Sequence, residues 1–140
     1  MLDELIYAKK MLKLGQYTLF LCSEGRVFFS EGRGICPLLE LVGTEEWKGA
    51  CAADKIVGKA AAMLYVLLGV RAVYAEVMSE EAKNILEQYD ILCQYDTLTE
   101  NIINRKGTGL CPMELAVKDV EKPSDAPSAI REKIKTLAKA

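Results

Sequence analysis

Ala53-Asp54-Lys55-Ile56-Val57-Gly58-Lys59-Ala60-Ala61-Ala62-Met63-Leu64-Tyr65-Val66-Leu67-Leu68-Gly69, followed after two residues by the apolar run Ala72–Val77, decides the fold class of this chain. Asp54 reads as a helix cap. Lys59 to Leu68 is apolar on every side, so the helix it belongs to is buried on most faces. Gly69 ends it, and Ala72–Val77 is a central strand. Ser79 then caps a helix with Glu80 and Glu81 in its first turn, where negative charge is favoured. That helix closes near Tyr89-Asp90, and Ile91–Tyr95 is a further strand. Strand–helix–strand units of this kind imply parallel pairing with right-handed crossovers.

Upstream, Leu2–Leu14 has helical spacing and stops at Gly15. Thr18–Cys22 and Arg26–Ser30 are two strands joined by the loop Ser23-Glu24-Gly25, a hairpin. Pro37–Val42 is a short helix, and Thr44–Gly49 is a polar connection carrying Trp47. Downstream, Leu98–Ile103 reads as a short helix or a last edge strand. Pro112–Val117 is a helix, Glu121–Ser124 a linker and Ala126–Lys139 a terminal amphipathic helix. The expected architecture is α/β: a three-layer α/β/α sandwich on a mixed sheet of four to five strands, with Ala72–Val77 in its middle. All 140 residues form a single domain, its core at about 1–120 and its C-terminal helix at about 126–139.

A net charge of −2 argues for neither nucleic acid nor an anionic membrane as partner. No run is long and apolar enough to span a bilayer, and the acidic start lacks the basic region of a signal peptide, so the expected compartment is the cytoplasm. The five cysteines are odd in number and widely spaced, against a disulfide framework or a zinc knuckle. There is no His, which removes His-based acid–base chemistry, Ser-His or Cys-His dyads and His-ligated metals. The expected metal and cofactor complement is none.

Chemistry concentrates in three places. Asp54-Lys55-(x)3-Lys59 sets two cations one turn apart in the first turns of a helix, against its dipole. An anion at that helix N-terminus accounts for them; so do ammonium groups that reach solvent or pair with an acid. The second place is Asn104-Arg105-Lys106-Gly107-Thr108-Gly109-Leu110-Cys111-Pro112-Met113-Glu114. It joins a guanidinium, a flexible backbone, a hydroxyl, a thiol at a helix start and a carboxylate one turn in. It reads as a ligand-holding loop presenting Cys111, or as a glycine turn with Cys111 as a small cap and Glu114 serving the dipole. The third, Gly32-Arg33-Gly34-Ile35-Cys36-Pro37-Leu38, repeats the Gly-x-Gly-x-Cys-Pro pattern of the second. Arg33 and Cys36 line the same cleft in one reading and form a plain hairpin-to-helix turn in the other. Cys36 and Cys111 facing each other would be a redox pair.

The segments Ala53–Ala62 and Ile102–Glu114 resemble a small uncharacterised prokaryotic family catalogued as a domain of unknown function, number eighteen ninety-three. The likeness runs through nearly the whole chain to about Val117. It implies a divergent cytidine-deaminase-like fold, without the zinc motifs. Where zinc deaminases carry H-x-E and P-C-x-x-C, this chain reads Cys51-Ala52-Ala53-Asp54-Lys55 and Met78-Ser79-Glu80-Glu81-Ala82. The resemblance therefore implies a cleft at the N-termini of the helices beginning at Asp54 and Ser79, with the Cys111 loop beside it, and not deamination.

Three functions fit these residues. The first is a zinc-free deaminase-like domain binding a small anionic or nucleotide-like ligand through Asp54, Lys55, Lys59, Asn104, Arg105, Thr108, Gly109 and Glu114, with Arg33, Cys36 and Ser79 nearby. The second is a thiol-dependent enzyme with Cys111 as nucleophile. The third is a non-catalytic interaction module that forms a homo-oligomer through its sheet edge or outer helices.

Overall fold

The computed structural model describes residues 2–32, 34–104 and 106–139. Helix α1 (Leu2–Leu14) leads into the hairpin β1 (Leu19–Ser23) and β2 (Arg26–Ser30), then α2 (Cys36–Leu41). The turn between β1 and β2 holds Glu24 at φ 49° and Gly25 at φ 83°. Two left-handed residues in a two-residue loop match the twist of the flanking strands, as in a type I′ turn.

The next segment departs from the sequence expectation. Cys51–Val57 is not the start of a helix; it is strand β3, and helix α3 is confined to Lys59–Leu68. Gly58 is the extended N-cap between them, at φ −100° and ψ −171°. The rest follows as β4 (Ala72–Ser79), α4 (Glu80–Gln88), β5 (Leu92–Thr99), α5 (Pro112–Ala116), a 3-10 turn at Pro123–Asp125 and α6 (Ala126–Lys139). Strand β5 takes in Leu98 and Thr99, and Ile103 forms an isolated antiparallel bridge with Leu110.

The five strands form one mixed sheet in the order β2-β1-β3-β4-β5. The β1 strand pairs antiparallel with β2 and β3, while β3–β4 and β4–β5 are parallel. The middle strand is thus β3, not Ala72–Val77. Pleating sends alternate residues to opposite faces. On one face α1 lays Leu5, Ala8 and Leu12 over Phe20, Cys22, Cys51, Ala53, Ala72 and Tyr74. On the other, Leu19, Leu21, Ala52, Val73 and Ala75 meet α3, around which α2, α4, α5 and α6 gather. The crossovers β3–α3–β4 and β4–α4–β5 place both helices on that second face. No helix among the described residues is long and apolar enough to cross a membrane.

Candidate functional site

Helix α3 begins where β3 ends, so its N-terminus opens at the carboxyl edge of the parallel strands, the place where open α/β sheets receive ligands. The first N–H groups of a helix have no intrahelical acceptor. Here they have one from elsewhere. The Lys59 N–H donates to Glu114 Oε1 at 2.8 Å and the Ala60 N–H to Glu114 Oε2 at 2.9 Å. Glu114 stands on α5, and its carboxylate grips α3 end-on, where charge-assisted bonds and the helix dipole act together. Gly58 makes this approach feasible, since a Cβ there would collide with the Glu114 carboxylate.

Lys59 is the first residue of α3 and only 9% exposed. Its ammonium donates to the Lys118 carbonyl at 3.1 Å and lies 3.7 Å from Glu81 on α4. Its charge therefore binds α3 to α4 and to the segment after α5. Lys55 does not share its face. The side chain continues the row Cys51, Ala53 toward the α1 side of the sheet, and it is exposed. The expected pair of cations on one helix face does not exist, because the first of them is in a strand.

Asp54 is on the α3 side and half-buried. Its Oδ2 accepts the hydroxyl proton of Tyr65, a fully buried residue of α3, at 2.7 Å. Burial pushes the Asp54 carboxyl up to about 6, against the pull of the Tyr65 hydroxyl and the backbone N–H groups of Ile56 and Lys55. Burial, with Asp54 beside it, pushes the Tyr65 phenol well above its ordinary value. A helix cap was expected at Asp54, but the cap is Gly58, with Glu114 as its acceptor.

The second glycine loop closes largely on itself. Asn104 N–H donates to the Gly109 carbonyl at 2.8 Å, and the Gly107 N–H to the Asn104 carbonyl at 3.0 Å. The Asn104 side chain accepts from the Thr108 N–H at 3.0 Å and donates to its hydroxyl at 3.2 Å. The Cys111 N–H donates to Ile102 O at 2.9 Å. Much of the expected set of open N–H donors is thereby spent inside a small hairpin. Cys111 is the half-buried N-cap of α5, without a side-chain capping bond. Cys36 is exposed as the first residue of α2, whose N-cap is Ile35. Ser79 is buried and, as expected, caps α4 by accepting from the Ala82 N–H at 3.1 Å. Arg33 and Arg105 lie outside the described residues.

Two concavities lie at the opposite end of the sheet. A cavity of about 300 Å³ opens between α1 and the hairpin, lined by Asp3, Glu4, Tyr7, Cys22, Gly25 and Val27. A more polar one of about 490 Å³ adjoins it beside Glu4, Arg26, Glu45, Lys48 and Arg71. Glu4 links them, pairing with the Arg71 guanidinium and accepting from the Glu24 N–H at 2.7 Å. Cys51, beside the guanidinium, and Glu4 both favour its charged form. Only the acidic first turn of α1 hinted at this network in the sequence. Among the described residues no three Cys, Asp or Glu side chains converge as metal ligands would.

A sequence profile of a domain of unknown function, DUF1893 (TM1506), matches residues 7–134. A crystal structure of a DUF1893 family protein (TM1506) from Thermotoga maritima superposes with a TM-score of 0.82 at 26% sequence identity, covering 96% of this chain and 90% of that one. No curated protein matches the sequence.

Proposed function

The chain belongs to the DUF1893 family, a domain of unknown function, and from that premise we propose that it binds a small anionic, nucleotide-like ligand at the carboxyl edge of β3 and β4. One observation carries this reading: the α3 N-terminus holds a carboxylate through two backbone N–H groups, beside a glycine kept bare for it. A phosphate or carboxylate of a ligand matches the same two donors. Glu114 is then the internal occupant that such a ligand displaces. The loop Asn104–Gly109 leads through Cys111 into α5, so it travels with Glu114 when the site opens. Asp54, with Tyr65 behind it, offers an acceptor for N–H groups of the ligand on the same side of the sheet. The hairpin followed by two crossover units with both helices on one face supports a divergent cytidine-deaminase-like sandwich as the frame. We place the protein in the cytoplasm, in line with its lack of disulfide bonds among the described residues.

The test is thermal unfolding of the intact chain and of Glu114→Ala against inorganic phosphate and a panel of nucleoside monophosphates. A ligand bound to the native state alone raises the melting temperature. The expected result is a shift with at least one phosphate compound, at a concentration about tenfold lower in Glu114→Ala, where the internal competitor is gone. Absence of any shift in both proteins overturns the reading.

A further inference from the structure

Among the described residues β2 pairs only with β1, so its outer edge is open. The hairpin decides which backbone groups point outward. Ser23 and Arg26 flank a two-residue turn and form a hydrogen-bonded pair, so Phe28 and Ser30 also bond toward β1. The N–H and C=O groups of Val27 and Phe29 are left facing away. The side chains of the same two residues are 44% and 51% exposed. They stand on the α1 face, since they pair across with Cys22 and Phe20. Phe29 is held in place there, its ring 4.8 Å from that of Tyr17 and 6.4 Å from that of Phe20.

Edge strands are ordinarily blunted by lysine, proline or a bulge. This one has none of them: Arg26-Val27-Phe28-Phe29-Ser30 runs through five unbroken pairs. The other edge differs. In β5, Leu92 and Leu98 share their face with Gln94 and Asp96, and Asp96 is bound by Lys13 and by the Tyr74 hydroxyl.

We propose that a second copy of this chain occupies the β2 edge, β2 against β2 and antiparallel, about a two-fold axis through Phe28. The two sheets then become one continuous sheet. The residue pattern selects both the partner and the register. With Phe28 on the axis, Val27 meets Phe29 of the other copy, and these are the residues with outward backbone groups. Arg26 then faces Ser30, so all five residues of β2 are paired. The one charged side chain of the strand meets a small hydroxyl, and no like charges oppose one another. Sliding the pair by two residues in either direction leaves three of the five residues of each strand paired, setting Arg26 against Phe28 one way and Ser30 against Phe28 the other. Only the register centred on Phe28 pairs the whole strand.

Sedimentation equilibrium and amide hydrogen exchange test this together. The intact chain is expected to be a dimer whose Val27 and Phe29 amides exchange slowly. Phe29→Lys and Val27→Lys, both at exposed positions, should weaken association more than about tenfold and speed exchange at those amides, with circular dichroism unchanged. Leu98→Lys on the opposite edge should leave the dimer intact. A monomer at every concentration overturns the proposal. So does a dimer in which Val27 and Phe29 exchange freely, or one that resists both β2 substitutions or is broken by Leu98→Lys.

Discussion

Asp54 is a carboxylate placed where it is poorly solvated, and its charge works against the fold. Its value in the unfolded chain is about 3.9, and in the folded protein about 6. The folded state therefore binds the proton more tightly, and stability falls as pH rises through the window from about 4 to about 6. Two pK units correspond to roughly 3 kcal/mol, an upper bound on that loss. Asp54→Asn keeps an acceptor for the Tyr65 hydroxyl and removes the charge. Urea titrations across that window should show a shallower fall for the variant; parallel pH profiles would contradict the assignment. Gly58 supplies a second prediction at this scale. Gly58→Ala forces Glu114 off the α3 N-terminus and should cost about 1–3 kcal/mol, the range for buried groups left without partners. In the background of Glu114→Ala the same change should cost much less, a coupling that a double-mutant cycle reads directly.

At the scale of elements, α5 is a five-residue helix whose role is to carry one carboxylate to another helix. Glu114→Gln retains one acceptor oxygen and loses the charge. It should destabilise by about 1 kcal/mol, and Glu114→Ala by about 2, as for other helix caps, measured by denaturant midpoint. The β1–β2 hairpin offers the opposite sign. Glu24 sits at positive φ, where asparagine is at ease and glutamate is not. Glu24→Asn creates the Asn-Gly pair that type I′ turns favour and should raise stability by about 0.5–1 kcal/mol. Thermal melts that show a loss would mean that the Glu24 side chain does more than occupy the turn.

The molecule as a whole is lopsided. Among the described residues, several helices crowd one face of the sheet around α3, while α1 is the one helix on the other. Leu5, Ala8 and Leu12 are its contact row, and beneath them lies an apolar patch running from Phe20 to Tyr74. Leu12→Ala should cost about 2–5 kcal/mol, a large share of the total stability of a domain this size. Retention of the full denaturant midpoint would mean that another element covers that face.

Much of this fold is written locally. Glycines at the ends of α1 and α3, the Glu24-Gly25 turn, the Ser79 cap and the alternation of apolar runs with amphipathic helices mark nearly every boundary. These are preferences of a few neighbouring residues, and the chain carries them whatever its tertiary structure. Strand β3 is the exception. Cys51 to Val57 contains alanines, a capping residue and a lysine that suit a helix start. It becomes the central strand because β1 and β4 supply hydrogen bonds on both sides and two buried layers accept its small side chains. A strand is defined by its partners, and those partners lie tens of residues away. The candidate site divides in the same way. Sequence singled out Lys59 as a cation at a helix start and Glu114 as a carboxylate one turn into the next glycine–Cys–Pro helix, and tertiary structure gave the first Glu81 and the Lys118 carbonyl as partners and set the second on the α3 N-terminus. Glu114 meets the N-terminus of the helix that Lys59 begins only after a chain of more than fifty residues has folded back over the sheet.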